Sequence, residues 1–191
     1  MDMIYIGTIP SPAGILTLSG NEKSITGLWI QGQKYFGSTL ERGMLEPDGR
    51  GGLRIRPQKE VPELYEENGS LEIFREAGAW LEEYFGGREP DFMPSLAPSG
   101  SEFRQQVWKI LCRIPYGGST TYGHIAKEMA AQMGRTTMSA QAVGGAVGHN
   151  PISIMIPCHR VMGSDGSLTG YAAGTDVKKM LLRLETGSLV K

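Results

Sequence analysis

The chain has 191 residues, 19 basic and 20 acidic side chains and 40% hydrophobic residues, which excludes a collagen, a disulfide scaffold, a coiled coil and a disordered tail protein. No apolar run approaches the roughly 20 residues that span a bilayer, and Met1-Asp2-Met3-Ile4-Tyr5 lacks the basic-then-apolar order of a secretory signal. The charge is unevenly divided: residues 1–98 hold 9 Lys/Arg and 15 Asp/Glu, whereas residues 99–191 hold 10 and 5, so the second half is the one suited to an anionic partner such as nucleic acid.

Three short β-like runs open the chain, at residues 3–6, 15–18 and 24–30, separated by Pro10-Ser11-Pro12-Ala13-Gly14 and by Gly20-Asn21. Strand-sized apolar segments between such turns predict an antiparallel meander. Residues 41–62, rich in Gly, Pro and charge, predict an exposed loop. Between residues 64 and 85, Leu71, Phe74, Ala77, Leu81 and Tyr84 recur at helical steps until Gly86-Gly87 stops them, so an amphipathic helix is expected. Three prolines within residues 88–100 mark a linker. This divides the chain into a structural domain at 1–87, the linker at 88–100 and a second domain at 101–191. The first domain has neither His nor Cys.

The second domain begins with a helix carrying Phe103, Val107, Ile110 and Leu111 on one face and ending before Pro115. Thr120 or Thr121 caps the next, at 122–133, with Ile125, Ala126 and Met129 as its buried stripe. A third, near 139–147, is built from small residues. Two helices around a Gly-containing turn describe a helix-turn-helix, with the third helix as the recognition element. Glycine in mid-helix costs about 1 kcal/mol against alanine, so Gly144-Gly145 calls for the close approach of another backbone, inside the domain or outside it. Residues 152–156 read as a buried strand, followed by Pro157-Cys158-His159-Arg160-Val161.

Cys112 and Cys158 are too few for a disulfide framework or a four-cysteine zinc site, and a reducing, cytoplasmic setting is expected for both. Cys112 lies in an apolar helical stretch and reads as inert. Cys158, among Pro, His and Arg, reads as reactive: a turn or one water could let His159 take its proton, and positive charge such as that of Arg160 would favour the thiolate.

Ile156-Pro157-Cys158-His159-Arg160-Val161 resembles the signature of the O6-alkylguanine-DNA alkyltransferases, the methylated-DNA–protein-cysteine methyltransferases. The likeness continues in order through Phe103-Arg104-Gln105-Gln106-Val107-Trp108, Ile114-Pro115-Tyr116-Gly117, Thr121-Tyr122, Ala142-Val143-Gly144-Gly145-Ala146 with Asn150-Pro151, Gly170-Tyr171 and Leu181-Leu182-Arg183-Leu184-Glu185. It covers nearly all of residues 99–186; in the first half it is looser, chiefly Tyr84-Phe85-Gly86. The resemblance implies a two-domain α/β protein: a ribonuclease-H-like domain with an antiparallel sheet plus helix, then a mainly helical, winged-helix-like helix-turn-helix domain.

It also implies an activity. A lesion guanine, and by extension O4-methylthymine, is flipped out of double-stranded DNA, and a thiolate takes the O6-alkyl group in one irreversible step. Cys158 matches the acceptor, His159 the water-linked base and Glu185 the carboxylate that orients it, a generalised triad. Asn150 matches the tie between the helix-turn-helix and the reactive segment, and Tyr122 the tyrosine that faces the guanine and pushes on its phosphate. Tyr171 and Val161, with Arg160, fall at base-pocket positions. Thr121, Arg135, Ala140, Gln141, Ala142 and Gly145 fall on the DNA-binding elements, where small residues suit a minor groove. A monomer with no cofactor and no metal is implied, since the zinc ligands of some members have no counterpart here.

Two departures stand out. Gln141 occupies the position of an arginine that enters the base stack, which predicts intact chemistry with altered DNA affinity or flipping. The connection at 131–138 is longer than usual, and Arg135 within it is a candidate phosphate contact. A recognition-only relative would lack Cys158, a transcription regulator would not need Pro157-Cys158-His159-Arg160 or Glu185, and a cysteine hydrolase would turn over.

Overall fold

The computed structural model describes residues 3–187, and the chain divides into two compact units between Ser99 and Gly100. In the first unit, β1 (Tyr5–Ser11), β2 (Gly14–Gly20) and β3 (Ile25–Ile30) form the expected antiparallel meander. Pro12-Ala13 fits the tight hairpin because Ser11 caps it, donating to Gly14 O at 2.7 Å and accepting from Ala13 N–H at 3.1 Å. Leu16, Leu18, Leu28 and Trp29 are fully buried.

The segment expected as an exposed loop is partly folded. A 3-10 turn at Arg42–Met44 leads into a hairpin of β4 (Leu45–Pro47) and β5 (Leu53–Ile55). The Asp48 carboxylate gathers the N–H groups of Arg50 and Gly52 at 2.8 and 2.9 Å, which closes the turn that the glycines permit. Met44, with no exposed surface, packs with Ile6, Val61 and Tyr65. β6 (Glu66–Glu67) then pairs parallel to β1, giving the order β3-β2-β1-β6.

This pairing holds residues 66–67 in the sheet, so the helix expected from residue 64 begins later, as α1 (Glu72–Phe85). Its stripe of Ile73, Phe74, Ala77, Trp80, Leu81 and Tyr84 is buried and α1 packs on β1, β2 and β3. Contact is close enough that a Cβ at Gly7 would lie 2.9 Å from the Phe74 ring. Beyond α1, Ile25 N–H donates to Ser95 O and Ala97 N–H to Ile25 O, both at 2.8 Å, laying residues 95–97 along β3.

The second unit holds α2 (Glu102–Leu111), α3 (Tyr122–Gln132) and α4 (Ala140–Gly148), which pack on one another, and α5 (Thr175–Thr186). Each of the first three starts at a hydroxyl cap of the preferred kind: Ser101 accepts from Arg104 N–H, Thr121 from His124 N–H and Ser139 from the N–H groups of Gln141 and Ala142. Trp108 fixes the packing by donating its indole N–H to Ala146 O at 2.9 Å inside the core. A short parallel pair, β7 (Thr120–Thr121) with β8 (Val161–Met162), brings residues after Cys158 beside the start of α3. No helix among the described residues is long and apolar enough to cross a membrane.

Residues 152–156 are not a strand. They form a buried turn in which Met155 N–H bonds Ser153 O at 2.9 Å, Ile156 N–H bonds Ile152 O at 3.1 Å, and Ile154 has φ 72°. The Asn150 carboxamide supplies the missing ladder: Oδ1 accepts from Ile152 N–H at 3.0 Å and Nδ2 donates to Ile156 O at 2.8 Å. Satisfied locally in this way, an apolar run can be buried without strand partners.

Candidate active site

Cys158-His159-Arg160 forms one turn of 3-10 helix between β8 and the buried turn, packed against α5. The tight turn places three consecutive side chains that an extended chain would splay apart. Cys158 is buried, and its Sγ accepts a hydrogen bond from Asn150 Nδ2 at 3.1 Å. Asn150, just beyond α4, therefore joins the end of that helix, the buried turn and the thiol through one residue.

His159 is wholly buried, with Nε2 2.6 Å from Glu185 Oε1. Glu185 stands on the last turn of α5 and receives three more donors: Arg160 Nε at 2.9 Å, Arg160 Nη2 at 3.0 Å and Gly117 N–H at 3.0 Å. Arg160 also donates from Nη1 to Ile114 O at 2.6 Å and lies 5.8 Å from the Tyr116 ring centroid.

These contacts set the charges. Burial opposes ionisation of Glu185, yet the hydrogen bonds from His159 and Arg160 prevail and pull its carboxyl down to about 2. His159 is pushed below its ordinary range by burial, against the opposing pull of Glu185, so the ring is neutral at neutral pH. A carboxylate facing Nε2 places the proton there and makes Nδ1 the basic nitrogen. Burial pushes the Cys158 thiol up, while the Asn150 hydrogen bond, the charge of Lys178 and the amides of residues 158 and 159 work the other way. The resting pair is thus a neutral thiol and a neutral imidazole with an ionised carboxylate behind it.

Tyr122 opens α3 and donates Oη to Thr169 O at 3.1 Å; burial raises its phenol to about 12. Tyr171 meets His159 edge-on, ring centroids 6.5 Å apart. Its Oη is shielded from solvent and makes no hydrogen bond among the described residues. Val161 is fully buried and its carbonyl accepts from Lys178. The structure thus gathers Cys158, His159, Arg160, Asn150 and Glu185 into one cluster, with Tyr122, Tyr171 and Val161 around it.

Ala140, Gln141, Ala142 and Gly145 lie exposed on α4, and a Cβ at Gly145 would meet nothing within 4 Å. Gly144 instead faces Tyr122, whose ring would be 3.8 Å from such a Cβ. Arg135 is exposed in the connection after α3, and Thr121 is occupied as the cap of that helix. Sequence reasoning missed Lys178, which has no exposed surface and, rather than Arg160, supplies the positive charge felt by Cys158. Among the described residues, no three His, Cys, Asp or Glu side chains are grouped to hold a metal ion.

Comparison with known proteins accounts for almost the whole chain. The family model described as the 6-O-methylguanine DNA methyltransferase ribonuclease-like domain matches residues 4–98, and that of the DNA binding domain matches residues 102–187. A methylated-DNA–protein-cysteine methyltransferase of Methanosarcina barkeri is 43% identical over 187 residues, covering 97% of this chain and 99% of the relative. One of Mycobacterium tuberculosis H37Rv is 39% identical over 183 residues, covering 96% and 93%. The crystal structure of the M. tuberculosis OGT in complex with DNA superposes with a TM-score of 0.75 at 36% identity, covering 96% of this chain and 93% of that one. The M. tuberculosis O6-methylguanine methyltransferase gives 0.72 at 35% identity, with coverage of 97% and 94%.

Proposed function

The chain belongs to the 6-O-methylguanine DNA methyltransferase family, and from that premise we propose that Cys158 is the residue that takes the alkyl group from O6 of a guanine in double-stranded DNA. The activity is direct-reversal repair, the transfer of a methyl group from DNA to a cysteine of the protein. The observation that carries the assignment is the buried Cys158 thiol, held by Asn150 at 3.1 Å and followed directly by an imidazole on an ionised carboxylate.

The step balances simply. His159, through Nδ1 and a water, accepts the thiol proton, and Glu185 stabilises the imidazolium as it forms. The S–C bond forms as the C–O6 bond breaks, the electron pair stays on the guanine, and a proton returns to the base as guanine is restored. No group in the cluster is required to cleave the resulting thioether, so one chain repairs one base. Because O6 is inside the stacked duplex, the base leaves the helix to meet the thiol, and Tyr122, Tyr171 and Val161 form the walls it meets.

The exposed face of Ala140, Gln141, Ala142 and Gly145 is the part of α4 that approaches DNA. Gly145 needs no neighbour within the chain, so its missing side chain serves an outside surface. Arg135 and the caps of α3 and α4 reach phosphates, which makes binding salt-sensitive and largely independent of sequence. A reducing compartment, the cytoplasm, keeps Cys158 a thiol.

The test is intact-protein mass after incubation with a duplex bearing one O6-methylguanine, beside Cys158→Ser. A stoichiometric gain of one methyl mapped to Cys158 and absent from the variant is expected; a methyl found elsewhere, or none, overturns the assignment. A second duplex with O4-methylthymine extends the same measurement.

A further inference from the structure

Lys178 lies on α5 with no exposed surface, and the transfer step above gives it no task. Its ammonium donates to Val161 O at 2.5 Å and to Thr169 O at 3.4 Å, and stands 6.0 Å from the centroid of the Tyr122 ring. Thr169 O also accepts from Tyr122 Oη. One cation therefore joins the strand that follows the acceptor turn to the loop that carries Tyr171. Among the described residues its partners are carbonyl oxygens and an aromatic face, not a carboxylate. A buried charge without a counter-ion is costly, and an apolar side chain of similar size would be easier to bury. Such a site favours any nearby group that becomes an anion, and Cys158 opens the turn that packs on α5 and leads into Val161, the residue whose carbonyl Lys178 holds.

We propose that Lys178 is a positioning residue with two duties, latching the Tyr171 loop to β8 and stabilising the Cys158 thiolate during transfer. The proposal rests on Cys158 being the acceptor. The reciprocal influences agree with it: the charge of Lys178 favours the thiolate, and the thiolate favours the ammonium against the burial that pulls it down to about 8. The other titratable groups at the site are His159, Arg160 and Glu185 from the turn and α5, Tyr122 from α3 and Tyr171 from the loop. All are unchanged in the variants below.

The test uses the full chain with Cys112→Ser, so that one thiol remains. Lys178→Met removes charge and donor, Lys178→Gln removes charge but keeps a donor, and Lys178→Arg keeps both. Each is reacted across pH with iodoacetamide, whose iodide the thiolate displaces, and with the O6-methylguanine duplex. Both neutral variants should raise the pH midpoint of the iodoacetamide reaction by about one unit, an approximately tenfold loss of thiolate at neutral pH. Transfer from the lesion duplex should slow at least as much, with affinity for undamaged duplex unchanged. Lys178→Arg should restore the midpoint towards that of the parent. A folded Lys178→Gln protein with the parent midpoint, or an Arg variant no better than Gln, overturns the proposal. The iodoacetamide arm reads the thiolate without DNA, so a shifted midpoint supports the charge assignment even if the parent left the lesion unrepaired, a failure that would instead sink the acceptor reading.

Discussion

Replacing Glu185 by Gln removes one charge from a site that four donors surround, and the size of the loss can be worked out in two ways. The carboxyl sits at about 2 against an ordinary 4.5; at 1.36 kcal/mol per unit this is about 3 kcal/mol of stability. The sign follows from proton counting: the unfolded chain binds the proton first, so the contribution is complete above about pH 4.5 and fades as pH falls towards 2. Independently, the substitution strands Arg160, whose side chain is 10% exposed, and breaking a buried pair from one side costs roughly 3–5 kcal/mol. The two figures describe the same interaction and do not add. The amide also presents an NH2 to one of the donors on Oε1 or Oε2, so no rotamer satisfies both sides. We expect Glu185→Gln to lose about 3 kcal/mol at neutral pH, to lack the acid limb between pH 4.5 and 2, and to slow methyl transfer by about a hundredfold or more, since the forming imidazolium loses its carboxylate. Urea-dependent hydrogen exchange of peptides from α2 and α5 reads the second unit alone. A stability within about 1 kcal/mol of the parent, with an unchanged transfer rate, would refute the reasoning.

Three further outcomes follow from named contacts. Asn150→Ala loses the bonds to Ile156 O and Cys158 Sγ and the one from Ile152 N–H; it should cost about 3 kcal/mol by leaving buried groups unsatisfied, raise the midpoint of thiol alkylation, and be refuted by an unchanged melting curve. Gly170→Ala forces a side chain onto a residue with φ 84° and puts a Cβ 2.7 Å from Tyr122 Oη; it should weaken the Tyr122–Thr169 bond and slow transfer more than it weakens binding to undamaged duplex, which single-turnover and equilibrium titrations separate. Gln141→Arg adds a cation to the exposed face of α4 and should tighten duplex binding, steepen its salt slope by about 0.9 and speed transfer; equal affinity and rate in both proteins would show that this position does not enter the DNA contact.

What the sequence disclosed, and what it hid, divide along physical lines. The helices α2 and α3 were legible because each carries an apolar stripe at helical spacing, and α4 because of its run of small residues, signals that act within a few residues. The hairpin β4–β5 and the strand β6 were not, since their residues are charged or glycine-rich and take strand form only through tertiary pairing. Residues 152–156 were misread for a different reason. Five residues that are nearly all apolar report burial, not conformation, and what decides between a strand and a turn is whether Asn150 supplies the backbone with partners. The site shows the same split: Cys158 and His159 could be singled out as residue types and Glu185 only through the family resemblance, whereas the placing of Arg160 on Glu185 depends on two segments 25 residues apart. Lys178 is the instructive case, because its signal was present. Lys178, Leu181, Leu182 and Glu185 are the buried residues of α5, at steps of three, one and three, which is one face of a helix. Taken as an apolar stripe with charged residues at both ends, that pattern looks like an ordinary amphipathic helix with solvated termini. Taken by position alone, it says that a lysine and a glutamate share the face the helix buries, and a helix that buries two opposite charges without pairing them is holding each for a separate partner: the carboxylate for His159 and Arg160, the ammonium for the carbonyls of Val161 and Thr169.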